Sequence, residues 1–432
     1  MNKKQNNPYI AFISEHASPL ATLGGVDTGG QNVYVAQLAK HLAEQGYNVD
    51  VFTRWEDASK QRVIDWLPQV RVIHIEAGPV KVIPKEDILE FMPDFTVGML
   101  DFIAAERIEY ELVHANFFMS AMVAADLKAI LKIPFVVTFH ALGHVRRIHQ
   151  GNSDRFPKER LQIEEDVVKK ADYIIAECPQ DRDDLMKYYK APSYKIVTVP
   201  CGFSHTEFYP VKKAIARRIL KLDQDQQILL QLGRMVPRKG VDNVIKSLAR
   251  LKDHSKVCLV VVGGETDVPD PKMCPEIGRL IKIAQEHGVE ASVKFVGRKN
   301  RDQLKFYYSA ADVFITTPWY EPFGITPLES MACGTPVIGA NVGGIKYTVI
   351  DGETGALVPP EDPDALAEKI DELISDPMLL SSMSDNAIKR VNNYFTWAIV
   401  AQKVNSLYKK MIAASSKRLI EQTTLKNKYK AA

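Results

Sequence analysis

The chain has 432 residues, of which 46% are hydrophobic and 25% are charged, and its formal net charge is +2. This length predicts two or three globular domains, and the small net charge gives no indication of a nucleic-acid partner. The five cysteines are scattered without a C-x-x-C pair, which argues against a disulfide framework and favours a reducing cytoplasm. No stretch approaches the roughly 18 apolar residues of a membrane span, so the sequence leaves open only peripheral membrane contact.

The first half of the chain alternates short apolar runs with amphipathic stretches, which is typical of successive strand–helix units. Strands are predicted at Tyr9–Ser14, Tyr47–Thr53, Val70–Ile75, Leu112–Ala115, Pro134–Phe139, Tyr173–Ala176 and Lys195–Val199. Helices are expected at Gln31–Gln45 and from Arg160 to Lys170, and another helix is expected to end at Glu106. The turn-rich stretch Pro200–Pro210 predicts a hinge.

A glycine-rich loop precedes the first helix and runs from Gly24 to Gly30. Glycine lets the backbone approach a ligand closely, and the helix that follows places free N–H groups at the end of the loop. The loop is therefore either a phosphate site or a mobile turn.

Polar and aromatic side chains follow the predicted strands of this half. His140 comes directly after a parallel strand, whose C-terminal end faces the crevice where α/β proteins bind ligands. Phe117 follows another strand, where it would line a pocket or pack in the core. Residues 144–149 and the polar stretch after them predict a mobile loop over the crevice. Arg160 and Glu164 stand four apart on a helix and can pair with each other.

The triplet Asp181-Arg182-Asp183 contains a D-x-D pattern, which binds metal ions in some enzymes. Here it opens a predicted helix, where the helix dipole favours acidic residues. We interpret it as a helix cap and expect no essential metal ion.

The second half repeats the strand–helix alternation. Strands are predicted at Ile228–Leu232, Val257–Val262, Val293–Val296, Val313–Thr317 and Thr335–Ala340, with a long helix at Trp397–Ser415. Two successive sets of such units predict two doubly wound α/β domains that face a central cleft. We place them at 1–208 and 209–396, followed by a final helix and basic tail at 397–432. The tail is either solvated or touches anionic lipid.

Two cations follow the first strand of this half, at Gly233-Arg234 and Lys239-Gly240. They are placed to neutralise a departing diphosphate, with a structural salt bridge as the alternative. Gly297-Arg298 ends a later strand, where its backbone would hold a nucleobase and Arg298 would lie beside it.

A strand–turn–helix unit between residues 313 and 332 predicts an anion site. The tight turn that begins at Glu321 is followed by a helix, so free N–H groups at Gly324, Ile325 and Thr326 meet the positive end of the helix dipole. Glu321 and Glu329 flank this point, where their carboxylates would accept hydrogen bonds from the hydroxyl groups of a nucleotide-sugar.

The spacing E-x-F-G-x-x-x-x-E from Glu321 to Glu329, followed by G-x-P-V, resembles the donor-site signature of the retaining glycosyltransferases of family 4. The sequence H-A-L-G at His140 and G-R-x-x-x-x-K-G at Gly233 are also similar to motifs of this family, and the resemblance covers about residues 8 to 412. It implies the GT-B fold, with two Rossmann-like domains around a cleft and a last helix that crosses back onto the first domain.

The resemblance implies transfer of a hexosyl group, with retention, from a UDP-glucose-like donor to an acceptor hydroxyl. It assigns catalysis to His140, Arg234, Lys239 and Glu321. The implied donor-binding residues are Gly29, Gly30, Gly233, Arg298, Phe323, Gly324, Ile325, Thr326 and Glu329. The base, the linkage and the oligomeric state stay open.

The resemblance is to the sucrose-phosphate synthase and inositol-phosphate glycosyltransferase branch, which implies a sugar-phosphate acceptor such as fructose 6-phosphate or an inositol phosphate. The acceptor-binding residues would then be Gln31, Lys85, Phe117 and Arg160, with Lys85 and Arg160 on the phosphate. Otherwise Lys85 is a solvated lysine and Arg160 pairs with Glu164. The alternatives are a lipid-linked or polysaccharide acceptor, or a protein that binds the nucleotide-sugar without turnover.

Overall fold

The computed structural model describes residues 7–21 and 29–430, with side chains up to residue 417. The chain forms two α/β domains, each built on one sheet with helices against both faces. This arrangement confirms the predicted fold class. The first five residues of the glycine-rich loop, Gly24–Thr28, lie outside the described residues.

The first domain contains an eight-stranded sheet in the order β3-β4-β2-β1-β5-β6-β7-β8, parallel except for the β3–β4 pair. The strands are β1 (Tyr9–Ile13), β2 (Asn48–Arg54), β3 (Val63–Leu67), β4 (Val70–Ile75), β5 (Tyr110–Asn116), β6 (Phe135–Thr138), β7 (Tyr173–Ala176) and β8 (Ile196–Thr198). The helices are α1 (Gly30–Glu44), α2 (Met92–Glu106), α3 (Phe118–Leu131), α4 (Gly143–Gln150), α5 (Glu159–Lys170) and α6 (Pro179–Tyr189).

The second domain contains a six-stranded parallel sheet in the order β11-β10-β9-β12-β13-β14. The strands are β9 (Gln227–Leu232), β10 (Val257–Val262), β11 (Val293–Phe295), β12 (Val313–Thr316), β13 (Val337–Ala340) and β14 (Gly355–Val358). The helices are α7 (Lys213–Leu220), α8 (Val241–Leu248), α9 (Pro275–Glu286), α10 (Arg301–Ala310), α11 (Ile325–Ala332), α12 (Ile345–Thr348), α13 (Pro363–Ser375) and α14 (Pro377–Tyr394).

The central strands are apolar because helices cover both faces of each sheet. Ile10 and Leu112 pair across β1 and β5, Leu230 and Phe314 pair across β9 and β12, and at most 1% of each residue is exposed. Polar groups can therefore collect only where these strands end, at their C-terminal edges, which is where the loops of both domains face each other.

The last helix, α15 (Trp397–Lys430), returns to the first domain, as predicted. Tyr47 Oη donates to Asn405 Oδ1 over 2.9 Å, and Tyr408 Oη lies 2.5 Å from His114 Nδ1 on β5. Trp397 is 1% exposed and lies edge-on to Tyr34 of α1. The helix extends well past the predicted end at Ser415.

The two connections between the domains run side by side. Phe203 N–H donates to Phe395 O over 2.9 Å, and Trp397 N–H donates back to Phe203 O over 3.2 Å. Gly202 lies against Trp397, since a methyl group there would come within 2.8 Å of the indole ring. The two connections between the domains are therefore packed against each other.

Two parts of the fold differ from the sequence prediction. The expected mobile loop at residues 144–149 is wrong, because these residues form α4. Side chains of other helices stabilise its first turn, because Gly143 N–H donates to Glu164 and His144 N–H donates to Tyr189 Oη over 3.0 Å. The strands β3 and β14 were not predicted. None of the described helices combines the length and apolar character needed to cross a membrane.

Replacing Trp397 with alanine should lower the free energy of unfolding by about 3–5 kcal/mol, because it opens a cavity where both connections and α15 meet. Unfolding in urea measures this change. The control is Tyr394→Ala on a 55% exposed side chain, expected to cost under about 1 kcal/mol. Equal midpoints for both variants would contradict the role given to Trp397.

Candidate active site

A cavity of about 340 Å³ opens between the two domains at the C-terminal edges of both sheets. Every predicted site residue except Arg160 lines it. The lining residues are Gly29, Gly30, Gln31, Lys85, Phe117, His140, Gly233, Arg234, Lys239, Arg298, Glu321, Phe323, Gly324, Ile325, Thr326 and Glu329. Residues from opposite halves of the sequence therefore share one surface.

Lys239 and Glu321 form a salt bridge in this cavity, and Arg238 Nη1 lies 3.9 Å from the same carboxylate. Burial lowers the pKa of Lys239 to about 8, an effect that the charge on Glu321 offsets and that Arg238 and Arg234 reinforce. Burial alone would raise the pKa of Glu321, but Lys239 and Arg238 outweigh it and hold that pKa below its usual range. The carboxylate is thus kept ionised.

Close backbone packing fixes the positions of Lys239 and Glu321. Gly240 has a φ of +67°, and a side chain there would come within 2.0 Å of Thr317 O. Gly343, with a φ of +46°, lies even closer to the carbonyl of Glu321. Glycine is required at both points, which brings the two loops together.

Two helix N-termini face each other across the cavity. Gly324, with a φ of +90°, precedes α11, and α1 begins at Gly30. A methyl group at Gly30 would lie 3.6 Å from Ile325 Cδ1, and one at Gly29 would lie 3.9 Å from Arg234 Nε. The N-termini of α1 and α11 and the side chain of Arg234 therefore lie around one small volume, which suits an anion such as a diphosphate.

Glu329 is buried on α11 with both carboxylate oxygens already bonded. Tyr308 Oη donates to Oε2 over 3.1 Å, and Arg301 Nη1 lies 2.9 Å from Oε1. Arg301 also pairs with Glu207, which accepts from Gln37 Nε2 of α1 over 3.1 Å. This chain of contacts orients Glu329 and ties it to the first domain.

The backbone after β11 offers fewer free groups than the sequence suggests. Arg298 N–H donates to Thr266 O over 2.8 Å, and Gly297 O accepts from Gly263 N–H over 3.0 Å. The Arg298 guanidinium lines the cavity and lies 3.5 Å from Asp267 Oδ1, so a contact between Arg298 and a base stays a prediction.

His140 has a φ of +58° and is held on both sides of its ring. Nδ1 lies 3.1 Å from Glu177 Oε1, and Nε2 lies 3.1 Å from Asn116 Oδ1. Asn116 Nδ2 donates to backbone carbonyls, so its oxygen is left to face the histidine. The imidazole is therefore fixed in orientation at the cavity wall.

The D-x-D triplet lies at the start of α6, as predicted. Asp181 Oδ2 accepts from Glu177 N–H over 2.9 Å, while Cys178 caps the helix. Burial, with the charge on Glu177, raises the pKa of Asp181 to about 8. Across residues 7–21 and 29–417, no group of three or more His, Cys, Asp or Glu side chains could hold a metal ion.

The wall from the first domain carries Gln31, Lys85 and Phe117. Gln31 Nε2 donates to Ser14 Oγ and to Asn116 O over 3.3 Å, and Lys85 Nζ lies 3.9 Å from Glu86 Oε1. Lys85 is thus within the cleft, with its side chain 17% exposed.

Arg160 lies behind this wall and is only 1% exposed. Its Nε donates to Glu164 Oε1 over 2.7 Å, and its guanidinium lies 4.5 Å from the centre of the Phe156 ring. This placement favours the ion pair, the alternative that the sequence left open. A contact between Arg160 and a phosphate stays a prediction.

The cavity also contains cations and a histidine that the sequence analysis did not select. They are His16, Arg146, Arg238 and Arg301. Arg238 falls inside the motif that runs from Gly233 to Gly240, so its position next to Lys239 was a usable signal. Arg146 was assigned to a loop, and nothing local marks His16 or Arg301.

Comparisons with known proteins find similarity over both halves of the chain. Residues 28–207 match the domain described as Glycosyltransferase Family 4, and residues 212–390 match the one described as Glycosyl transferases group 1. The chain is 33% identical over 411 residues to D-inositol 3-phosphate glycosyltransferase of Corynebacterium glutamicum, covering 94% of this chain and 97% of that protein. D-inositol 3-phosphate glycosyltransferase 2 of Catenulispora acidiphila is also 33% identical, over 93% of this chain and 95% of its own length.

Solved structures show the same architecture. Sucrose-phosphate synthase from Thermosynechococcus elongatus superposes with a TM-score of 0.87 at 36% identity, over 94% of this chain and all of that one. Anabaena HepE in complex with UDP and glucose superposes with a TM-score of 0.73 at 20% identity, over 93% of this chain and all of that one. The latter likeness establishes the fold alone.

Affinity for a nucleoside diphosphate should fall as the pH rises from 7 to 9.5. The protonated ammonium of Lys239 is the form that attracts the anion, and its pKa of about 8 means that the charge is lost over this range. Calorimetric titration with UDP, GDP and ADP measures the affinity. Lys239→Arg is the control, because a guanidinium stays charged and should give a flat profile. A flat profile for the wild type would contradict the assignment.

Proposed function

The chain belongs to the glycosyltransferases of group 1 and family 4, and from that premise we propose that it transfers a hexosyl group from a nucleoside-diphosphate sugar to a phosphorylated sugar or polyol. The observation that carries this proposal is the meeting of Arg234, Lys239 and the α11 N-terminus with Glu321 and Glu329 in one cavity. Cations suit a diphosphate, and the carboxylates suit hydroxyl groups.

In this proposal the donor, UDP-glucose or a relative, lies against the second domain. Glu329 accepts hydrogen bonds from the ribose hydroxyls and Glu321 from those of the donor sugar. The diphosphate lies between Arg234, Lys239 and the N–H groups at the start of α11. Gly29 and Gly30 close the site from the first domain, and His140 contacts the reacting sugar.

Transfer would proceed with retention of the anomeric configuration. The bond between the anomeric carbon and the phosphate oxygen breaks, and the acceptor oxygen forms a bond on the same face while its proton passes to the departing phosphate. Arg234 and Lys239 stabilise the negative charge that develops on this phosphate. We propose that these groups suffice without an essential metal ion.

A phosphorylated acceptor is supported by the cations of the first domain and by the relatives. Lys85 and Arg146 line the cleft on the side opposite the donor motifs. The similar proteins include D-inositol 3-phosphate glycosyltransferases and a sucrose-phosphate synthase, whose names include a phosphorylated compound. Fructose 6-phosphate and inositol phosphates are therefore the first acceptors to test. The five free cysteines suit the cytoplasm, which we keep as the proposed location.

Lys239→Ala should lower the rate of sugar transfer about 10²- to 10³-fold, because the charge that develops on the leaving diphosphate loses a buried partner. Mass spectrometry of products from a panel of nucleotide-sugars and sugar phosphates measures the turnover. The matched control is Lys246→Ala on α8, whose ammonium pairs with Asp242 away from the cleft. Equal rates for both variants would refute the diphosphate role, and no product from any pair would refute a transferase.

Lys85→Ala should raise the KM for a sugar-phosphate acceptor about 10- to 100-fold, since a charge-assisted contact with the phosphate is lost. The KM of the donor should not change. Lys81→Ala, an exposed lysine outside the cleft lining, serves as control. If unphosphorylated glycans or lipid-linked sugars are glycosylated faster than sugar phosphates, the acceptor class is wrong.

A further inference from the structure

An arginine shared by two carboxylates lies in the part of the cleft that carries Glu329, and the proposed function gives it no role. Arg301 begins α10 and lines the cavity together with Glu329 and Arg298. Its Nη1 lies 2.9 Å from Glu329 Oε1, and its Nε donates to Glu207 Oε2. Glu207 belongs to the connection that follows β8 and leads into the second domain. The arginine therefore joins a proposed ligand residue to the boundary between the domains.

The guanidinium of Arg301 is held by an aromatic ring as well as by two negative charges. It lies 4.7 Å from the centre of the Phe208 ring, and 23% of the side chain is exposed. Burial would lower the pKa of Arg301, but the charges of Glu329 and Glu207 outweigh burial and raise that pKa. The group therefore stays charged, and residues 207 and 208 help to fix its position.

Glu329 depends on this cation because the carboxylate is nearly inaccessible to water. The residue is 3% exposed, and a buried carboxylate is unfavourable unless charge and hydrogen bonds compensate it. Arg301 supplies the charge at Oε1, and Tyr308 Oη donates to Oε2 over 3.1 Å. Each oxygen of an ionised carboxylate can accept about two hydrogen bonds, so both oxygens can still accept from a ligand. Glu329 is thus fixed in orientation and keeps capacity for hydroxyl groups.

The third nitrogen of the guanidinium indicates what Glu207 does. Arg301 Nη2 is buried and has no hydrogen-bond partner among the described residues. A guanidinium that faces a single carboxylate readily forms a bidentate pair, in which two nitrogens bind both oxygens. Turning Nη1 and Nη2 together toward Glu329 would give Nη2 a partner, but it would use lone pairs on both oxygens of Glu329. The bond from Nε to Glu207 holds the guanidinium away from this arrangement.

Glu207 is itself fixed by contacts outside the cleft. Its Oε1 accepts from Gln37 Nε2 of α1 over 3.1 Å, and its N–H donates to Ser204 O over 3.1 Å. Ser204 directly follows Phe203, whose backbone pairs with the other connection between the domains. Neither Glu207 nor Gln37 lines the cavity. An effect of Glu207 on a ligand would therefore act through Arg301.

We propose that Arg301 is a positioning residue that orients Glu329 toward the ribose hydroxyls of the donor, and that Glu207 holds Arg301 in the orientation that leaves Glu329 open. The inference rests on the proposed function, in which Glu329 binds the ribose. It makes part of the donor affinity depend on a carboxylate that touches no ligand. Glu207 ties that part of the affinity to α1 and to the connection between the domains.

The test is a set of calorimetric titrations of the whole chain with UDP and with 2′,3′-dideoxy-UDP, which lacks both ribose hydroxyls. In the wild type the dideoxy compound should bind about 10- to 100-fold more weakly, because hydrogen bonds to an ionised group are lost. In Glu207→Ala the dissociation constant for UDP should rise about tenfold, while that for the dideoxy compound should change less than about threefold. If the wild type prefers GDP or ADP, that nucleotide and its dideoxy form replace the UDP pair.

Matched variants separate positioning from structure. Glu276→Ala is the control, since Glu276 accepts two hydrogen bonds from Arg279 on α9, outside the cleft lining, and its loss should leave both affinities unchanged. Glu207→Gln keeps an oxygen that accepts from Arg301 and should retain part of the discrimination. Arg301→Lys keeps the charge without the planar fork, so it should resemble Glu207→Ala. The double variant of Glu207 and Arg301 should lose no more than either single variant.

Kinetics give a second readout. A contact that is equal in the bound donor and in the transition state changes KM and leaves kcat as it is. Glu207→Ala should therefore raise the donor KM about tenfold, with kcat and the acceptor KM within about twofold of the wild type. A damaged fold would instead reduce the amount of active enzyme and lower kcat.

The proposal is overturned if Glu207→Ala weakens binding of UDP and of dideoxy-UDP by the same factor, or binds UDP as the wild type does. It is also overturned if Arg301→Lys keeps the full discrimination. A wild type that binds UDP and its dideoxy form equally refutes the ribose contact of Glu329 and this inference, but leaves the transferase function standing. A wild type that binds none of UDP, GDP and ADP refutes the proposed function as well.

Discussion

The candidate site depends on a cluster of positively charged side chains at the C-terminal edge of the second sheet. Arg234, Arg238 and Lys239 all line the cleft, and Glu321 is shared by two of them. Burial makes such charge unfavourable unless an anion compensates it, as the lowered pKa of Lys239 shows. A bound diphosphate would add compensating negative charge, which links binding of the donor to the group that must later accept negative charge.

Backbone packing, more than side-chain contacts, keeps this charge in place. Gly240 fits against Thr317, and Gly343 and Gly344 fit against residues 321–323, at distances that no side chain allows. The loops after β9, β12 and β13 are thus locked to one another. Because neighbouring parallel strands deliver these loops to the same edge, the doubly wound fold itself supplies the site, and the side chains select the ligand.

The second domain and most of its site could be predicted from sequence because their signals are local. A strand, a glycine turn and a helix are contiguous between residues 313 and 332, and so are Arg234 and Lys239. The prediction was weaker where residues distant in the sequence determine the local secondary structure. The helix α4 depends on Glu164 and Tyr189, which lie on other helices, and β3 depends on antiparallel pairing with β4.

Burial and orientation were the other quantities that the sequence did not contain. Arg160 stands four residues from Glu164 whether it is exposed or buried, and only the three phenylalanine rings around its guanidinium reveal that it lies behind the wall. The same holds for His16, whose Nδ1 lies 2.8 Å from the buried carboxylate of Glu15, which also accepts from Ser120 of α3. Spacing predicts which residues share an element, but the partner that a side chain faces requires the structure.

The division of the site between two domains has a chemical consequence. The groups that suit the donor diphosphate belong mainly to the second domain, whereas Lys85, Phe117 and His16 belong to the first. The domains touch through Cys178 Sγ, 3.3 Å from Pro322 O, and through Lys346 Nζ, which donates to Gln180 Oε1 over 2.9 Å. Because Pro322 directly follows Glu321, a shift between the domains would move the carboxylate relative to the acceptor wall. Contacts between the domains therefore keep both sets of groups facing one another, and the proposed transfer across the cleft depends on that arrangement.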